Sequence, residues 1–165
     1  DVERTFVHAE RLAARAAEIG GDLWIDMEGS AYTEATVAFY ERLKARHPNV
    51  GLCLQAYLRR TAADVRRLLP LDPAIRVVKG AYAEPESIAY RSRQEVDANY
   101  VALCVAMLDA RRAGRRVRVG LDAVPHAVGV AATAGRGQKA SSSPTVSFPT
   151  PGRPKRKMTW VAIRH

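Results

Sequence analysis

Three short apolar runs give the clearest pattern in the chain, and each ends in polar residues. Residues 23–25 (Leu-Trp-Ile) lead into Asp26 and Glu28. Residues 50–54 (Val-Gly-Leu-Cys-Leu) lead into Gln55 and Tyr57. Residues 74–78 (Ala-Ile-Arg-Val-Val) lead into Lys79, Gly80 and Tyr82. Short apolar runs rich in β-branched residues predict buried strands. The third run is interrupted by Arg76. A buried cation without a partner costs several kcal/mol. This strand therefore either opens at its carboxyl end toward something electron-rich or is an edge strand with solvated charges.

Helical spacing fills the intervals. Val2, Phe6, Ala9, Leu12, Ala13, Ala16 and Ile19 predict a helix over 2–19. Thr33 reads as the N-cap of a helix reaching about Arg46, with Val37, Phe39, Tyr40 and Leu43 apolar. Thr61 opens a shorter helix stopped by Pro70. Val96, Tyr100, Leu103, Cys104 and Leu108 mark the longest, over 94–112. Val117, Val119 and Leu121 alternate and predict a fourth strand ending at Asp122. Alternating strands and helices imply parallel pairing with right-handed crossovers.

A dinucleotide-binding open sheet would carry Gly-x-Gly-x-x-Gly after its first strand. Here Asp26-Met-Glu-Gly-Ser30 offers one glycine and two acids, which repel a pyrophosphate. The expected fold class is therefore α/β, a (β/α)8 barrel with its site at the carboxyl ends of the strands. A complete barrel needs roughly 250 residues, and this chain has 165. The expectation is a partial barrel of three to four strand–helix units over 1–122.

Charge divides the chain near residue 111. The formal net charge is +9. Residues 1–110 hold 14 Lys/Arg against 16 Asp/Glu, whereas residues 111–165 hold 12 Lys/Arg against a single Asp. The predicted barrel part is slightly acidic, and the excess positive charge lies beyond it. Residues 123–165 are rich in Ala, Gly, Ser, Pro and Arg without a sustained period. Such a segment buries too little apolar surface to offset its ordering entropy. It reads as a basic disordered arm for nucleic acid or anionic lipid, or as the product of a slipped reading frame in GC-rich DNA; the second is favoured.

No apolar run approaches the ~20 residues that span a membrane. The chain begins inside an amphipathic helix with neither an initiator Met nor a signal peptide, so upstream residues are expected. Cys53 and Cys104 show no metal spacing and read as reduced core residues of a cytosolic protein. His8, His47, His126 and His165 form no cluster, with the first two expected on helix surfaces.

The strand ends Trp24-Ile-Asp-Met-Glu28, Leu54-Gln-Ala-Tyr-Leu58 and Arg76-Val-Val-Lys-Gly-Ala-Tyr82 together resemble the proline dehydrogenase family, over about residues 2–110. Arg59-Arg-Thr61 and Glu84-Pro85 agree with that context. The resemblance implies an FAD-dependent barrel that oxidises L-proline to Δ1-pyrroline-5-carboxylate. It implies catalytic roles for Asp26 and Arg76, with Arg76 beside the flavin ring, where a fixed cation stabilises the reduced, anionic flavin. It implies cofactor contacts from Met27, Gln55, Arg76, Lys79, Gly80, Ala81 and Tyr82, Gly80 permitting close backbone approach. Asp26 would orient or deprotonate the substrate amine. The implied partners are L-proline, an electron acceptor such as a quinone, and an aldehyde dehydrogenase for the product; nucleic acid is not expected. The implied location is the cytoplasm, up to peripheral contact with the inner membrane.

The sequence also departs from the family. A family lysine on an earlier strand would precede Asp1. An alanine-threonine-histidine-aspartate segment is replaced by Val119-Gly-Leu-Asp-Ala-Val124. The arginine pair that binds the proline carboxylate belongs on a last helix, and Arg111-Arg112 and Arg115-Arg116 fall too early to be it. A truncated form without an intact substrate site is therefore expected, and its activity stays open. Two rivals remain: a barrel enzyme without flavin that takes a phosphorylated substrate at Lys79-Gly80, and a non-enzymatic protein whose basic tail binds nucleic acid.

Overall fold

Alternation along the strands decides the architecture. The computed structural model describes residues 1–121 and 158–161, with side chains described for 1–121. In chain order the elements are α1 (Val2–Glu18), β1 (Asp22–Ile25), α2 (Ser30–Lys44), β2 (Val50–Gln55), α3 (Thr61–Leu68), a 3₁₀ turn (Leu69–Leu71), β3 (Ala74–Val78), α4 (Arg93–Arg112), β4 (Arg118–Leu121) and β5 (Met158–Val161). The strands form one parallel sheet in the order β4-β3-β2-β1-β5. From β1 to β4, neighbours in sequence are neighbours in space. Right-handed crossovers that advance one strand at a time place the helices on one face of the sheet.

That face is the apolar one. Register joins Leu23 to Val50, Ile25 to Leu52, Leu52 to Ile75, Leu54 to Val77 and Val77 to Leu121. These residues share a core with Phe6, Ala9 and Ala13 of α1, Val37, Tyr40 and Leu43 of α2, Val65 and Leu68 of α3, and Tyr100, Leu103 and Met107 of α4. Phe6 and Phe39 meet edge to face at 5.5 Å, and the Arg42 guanidinium lies 3.8 Å from the Phe6 ring centre. Buried Asn49 donates to the carbonyls of Ala13 (2.8 Å) and Gly21 (3.2 Å), and its own carbonyl accepts from Leu23 N, fixing the end of α1 against the start of β1.

The opposite face carries the sheet's charged side chains among small and aromatic ones. Its rows are Trp24-Gly51-Ala74-Arg118 and, one step toward the carboxyl ends, Cys53-Arg76-Gly120, with Asp26 just past β1. Arg118 of β4 is bonded to buried Asp22 of β1 at 2.5 Å. Three strand spacings on a flat sheet are about 14 Å, beyond the combined reach of the two side chains. The sheet therefore curls, concave on the polar side. Gly51 makes room on that face for Trp24: a Cβ at position 51 would stand 2.6 Å from the indole ring.

Several expectations shift. α2 begins at Ser30 with Gly29 as N-cap and ends at Lys44, so Thr33 is a buried residue of the first turn rather than the cap. Val2, Leu12, Ile19 and Leu108 fit the helical period, yet they are exposed. His47 lies just past α2, half-buried, 3.8 Å from Glu10. β5 was not expected; its four residues pair with β1 from Asp22↔Met158 to Ile25↔Val161, too short a run after a basic, proline-rich stretch for period alone to reveal. β4 matches the expected fourth strand to Leu121. Asp122, most of the 123–165 tail, His126 and His165 lie outside the described residues.

Two predictions follow from this packing. Gly51→Ala should cost about 1–3 kcal/mol by overpacking, read as a fall in urea midpoint, and the cost should vanish in a Trp24→Leu background. An equal cost in both backgrounds would place the clash elsewhere. The second concerns Glu34, which bridges Arg67 (2.8 Å) and Arg60 on the surface of α2 and α3. Hydrogen bonds from Arg67 and then Arg60 lower its carboxyl from 4.5 to about 2. Its contribution is thus complete above pH ~4.5 and is lost as pH falls toward 2. Being exposed, the bridge is worth at most ~1 kcal/mol. Glu34→Gln should narrow the stability gap between pH 7 and pH 3 by that order; an identical gap in both chains would mean the bridge contributes nothing.

Candidate active site

The carboxyl ends of β1, β2 and β3 meet on the concave side, and alternation decides what each end presents. Arg76, opposite in parity to Ile75 and Val77, projects from the concave face and pairs with Asp26 across β2. Both are partly buried, so each charge has a partner where water is scarce. Cys53 lies beside Arg76 in register. Burial pushes its thiol up, an effect that the neighbouring guanidinium offsets in part. A thiol held protonated in this way is a poor nucleophile.

Gln55 closes β2 on the same face, 4% exposed. Its Nε2 donates to the Met27 carbonyl at 3.2 Å, tying the ends of β1 and β2 together. Its Oε1 is buried and has no hydrogen-bond partner among the described residues. The Gln55 backbone carbonyl accepts from Thr61 Oγ1 at 2.6 Å, which sets the turn from β2 into α3. Met27 itself is buried in the core, continuing the parity of Leu23 and Ile25.

After β3 the expected cofactor segment divides. Lys79 turns to α4 and pairs with Asp97 at 2.7 Å. Its charge is thereby committed, which removes the support for a phosphate site at Lys79-Gly80. Gly80 has φ +107°, and a Cβ there would stand 2.1 Å from the Tyr57 ring. The close approach that this glycine permits is thus to Tyr57. Tyr57 N donates to the Lys79 carbonyl at 2.8 Å, and burial pushes its phenol up to about 12. Ala81 and Tyr82 are exposed, and the Tyr82 hydroxyl donates to Glu28.

Of the residues expected at the site, Asp26, Gln55 and Arg76 converge on the concave face, with Met27 adjoining them through its carbonyl. Lys79, Gly80, Ala81 and Tyr82 form its rim. Sequence reasoning missed Tyr57 as the partner of Gly80, Asp97 as the partner of Lys79, and the bond from Glu84 to Ser30. Each joins residues distant in the chain, and no local period marks them. Among the described residues no group of His, Cys, Asp and Glu is placed to hold a metal ion. No described helix is long and apolar enough to cross a membrane.

Comparison with known proteins bears on the family and the fold. A family profile described as proline dehydrogenase matches residues 4–121. The chain is 39% identical over 105 residues to the proline dehydrogenase of Deinococcus radiodurans, covering 62% of this chain and 34% of that protein. It is 32% identical over 101 residues to proline dehydrogenase 1 of Bacillus subtilis, covering 61% of this chain and 33% of that one. It thus spans about a third of the length of these relatives. Among solved structures, proline utilization A from Bdellovibrio bacteriovorus, inactivated by N-propargylglycine, superposes with a TM-score of 0.64 at 22% identity, over 73% of this chain and 14% of that one. That likeness extends the agreement to the fold. With a profile matching over most of its length and relatives at this identity, the chain belongs to the proline dehydrogenase family.

Proposed function

We propose that this chain forms the flavin-facing part of a proline dehydrogenase barrel, and that the protein built on it oxidises L-proline to Δ1-pyrroline-5-carboxylate with FAD. One observation carries the reading. The buried Oε1 of Gln55 lacks a partner among the described residues and shares a concave face with the Arg76 guanidinium. Buried polar atoms are nearly always satisfied. A planar group with donors and acceptors along its edge is what this pair of side chains suits, and the isoalloxazine of FAD is such a group. The sequential strand order and the curl of the sheet fit four successive strands of a (β/α)8 barrel.

In this reading Gln55 and Arg76 hold the ring edge, with the rim from Lys79 to Tyr82 and the Met27 carbonyl bordering it. FAD, when bound, supplies the two-electron acceptor for hydride from the proline ring carbon next to nitrogen. The protein's own work is electrostatic. Arg76 offers a fixed cation where negative charge develops, and Asp26 keeps its guanidinium aimed. Asp26 is also a carboxylate at the strand ends of that face able to orient the substrate amine or accept its proton, since hydride leaves readily only from the neutral amine. The product suits an aldehyde dehydrogenase, fused or separate, and the electrons suit a quinone. That pairing fits a cytoplasmic protein in peripheral contact with the inner membrane.

The test places residues 4–121 into the matched region of the Deinococcus radiodurans enzyme, so that the relative supplies the remaining strands. The chimera should bind FAD and reduce a dye in the presence of proline. A folded, soluble chimera that takes up no flavin, or whose flavin proline does not reduce, would refute the proposal. Within it, Arg76→Met keeps length and removes charge. A charge-assisted hydrogen bond contributes about 1.5–3 kcal/mol, so turnover should fall roughly tenfold or more and the flavin should become harder to reduce. An unchanged potential and rate would make Arg76 a structural residue.

A further inference from the structure

α2 has no cap of its own. Its N-cap is Gly29, no side chain of the flanking residues caps it, and its first turn holds no acid. The carboxylate that serves it comes from 54 residues away. Glu84 Oε1 accepts from Ser30 N at 2.7 Å, and Glu84 Oε2 accepts from Ser30 Oγ at 2.7 Å. A carboxylate on the first amides of a helix is favoured by hydrogen bonding and by the helix dipole. These bonds hold the Glu84 carboxyl below its ordinary range.

The path of the chain gives this cap a second consequence. Glu84 lies in the connection from β3 to α4, while Ser30 opens the helix that follows β1. β2 lies between β1 and β3 in the sheet. The segment from Lys79 to Glu84 must therefore pass the carboxyl end of β2, where Gly80 lies against the Tyr57 ring. Its near end is fixed to β2 by the bond from Tyr57 N to the Lys79 carbonyl, and its middle by the bond from Tyr82 to Glu28. The return is fixed as well: Arg59 N donates to the Ile88 carbonyl at 2.9 Å and Tyr90 N to the Tyr57 carbonyl at 2.8 Å. Residues 79–90 thus form a strap anchored at both ends on the β2 loop and at its tip on the start of α2. Ala81, Tyr82 and Ala83 within it are exposed, so little apolar burial holds the tip down and the polar anchors must.

We propose that Glu84 is a positioning residue: by capping α2 from across the sheet it holds the strap over the end of β2 and fixes the Lys79–Tyr82 backbone along the rim of the concave face. This deepens the flavin reading and rests on it for the identity of what the rim borders. The strap itself does not depend on that reading.

The experiment is hydrogen exchange on the 165-residue chain, with FAD titration read separately on the chimera described above. Glu84→Ala should speed exchange about fivefold in peptides covering both 30–33 and 80–84, leave 50–54 unchanged, and weaken FAD binding. Glu84→Gln keeps an acceptor and should recover most of both losses. Gly29 has φ −59° and ψ 162°, a conformation open to serine, and a Cβ there meets Glu84 at an ordinary 3.5 Å. Gly29→Ser combined with Glu84→Ala gives α2 a local cap. It should restore 30–33 while 80–84 stays fast and FAD binding stays weak. Restoration of 80–84 by that local cap would overturn the proposal, because Glu84 would then be a helix cap and nothing more; so would unchanged exchange in Glu84→Ala. If the exchange pattern appears but the parent chimera binds no FAD, the strap stands and the flavin reading falls.

Discussion

Charge on the inside of a curved sheet is the constraint around which this structure is arranged. Arg76 and Arg118 project from the face opposite the helices, where a closed layer of side chains would otherwise be apolar. Each finds its carboxylate on β1 or just past it: Asp26 for Arg76 and Asp22 for Arg118. A partly buried pair of this kind adds little net stability, because desolvation offsets most of the attraction, but losing one partner leaves the other charge without its counterion. The pairs therefore act as fasteners of geometry. They tie β1 to β3 and β1 to β4 across intervening strands, and the longer of these two spans requires the sheet to curl. The polar row at the carboxyl ends then faces a common space.

The fold was legible because its signals are local. Strand runs, helix periods and their order can all be read from neighbouring residues, and Arg76 among Ile75, Val77 and Val78 announced a polar face before any register was known. Parity placed Arg76 opposite Val77. The periods overstated the core, since Leu12, Ile19 and Leu108 share the spacing of buried residues yet remain exposed.

What stayed hidden is what depends on long-range partners. Thr33 has the chemistry of an N-cap, but Glu84 arrives from the far side of β2 to cap the helix earlier, at Ser30. Lys79 and Gly80 offered an anion site in one rival reading; in the fold Lys79 pairs with Asp97 on α4 and Gly80 lies against the Tyr57 ring. A glycine marks a place where something comes close. The sequence around it does not say whether that something is a ligand or the protein's own ring.

The contact of Trp24 with Gly51 has an optical consequence. The indole lies on the concave face, nearly buried, in the row next below Arg76 and Asp26. Its emission depends on the polarity and charge immediately above it, so whatever enters that space enters the surroundings of a built-in fluorophore. A chromophore absorbing in the near ultraviolet and blue would draw energy from it over so short a distance. The face that arranges the chemistry thus carries its own gauge of occupancy, made possible by the one missing Cβ that lets an indole lie flat on a strand.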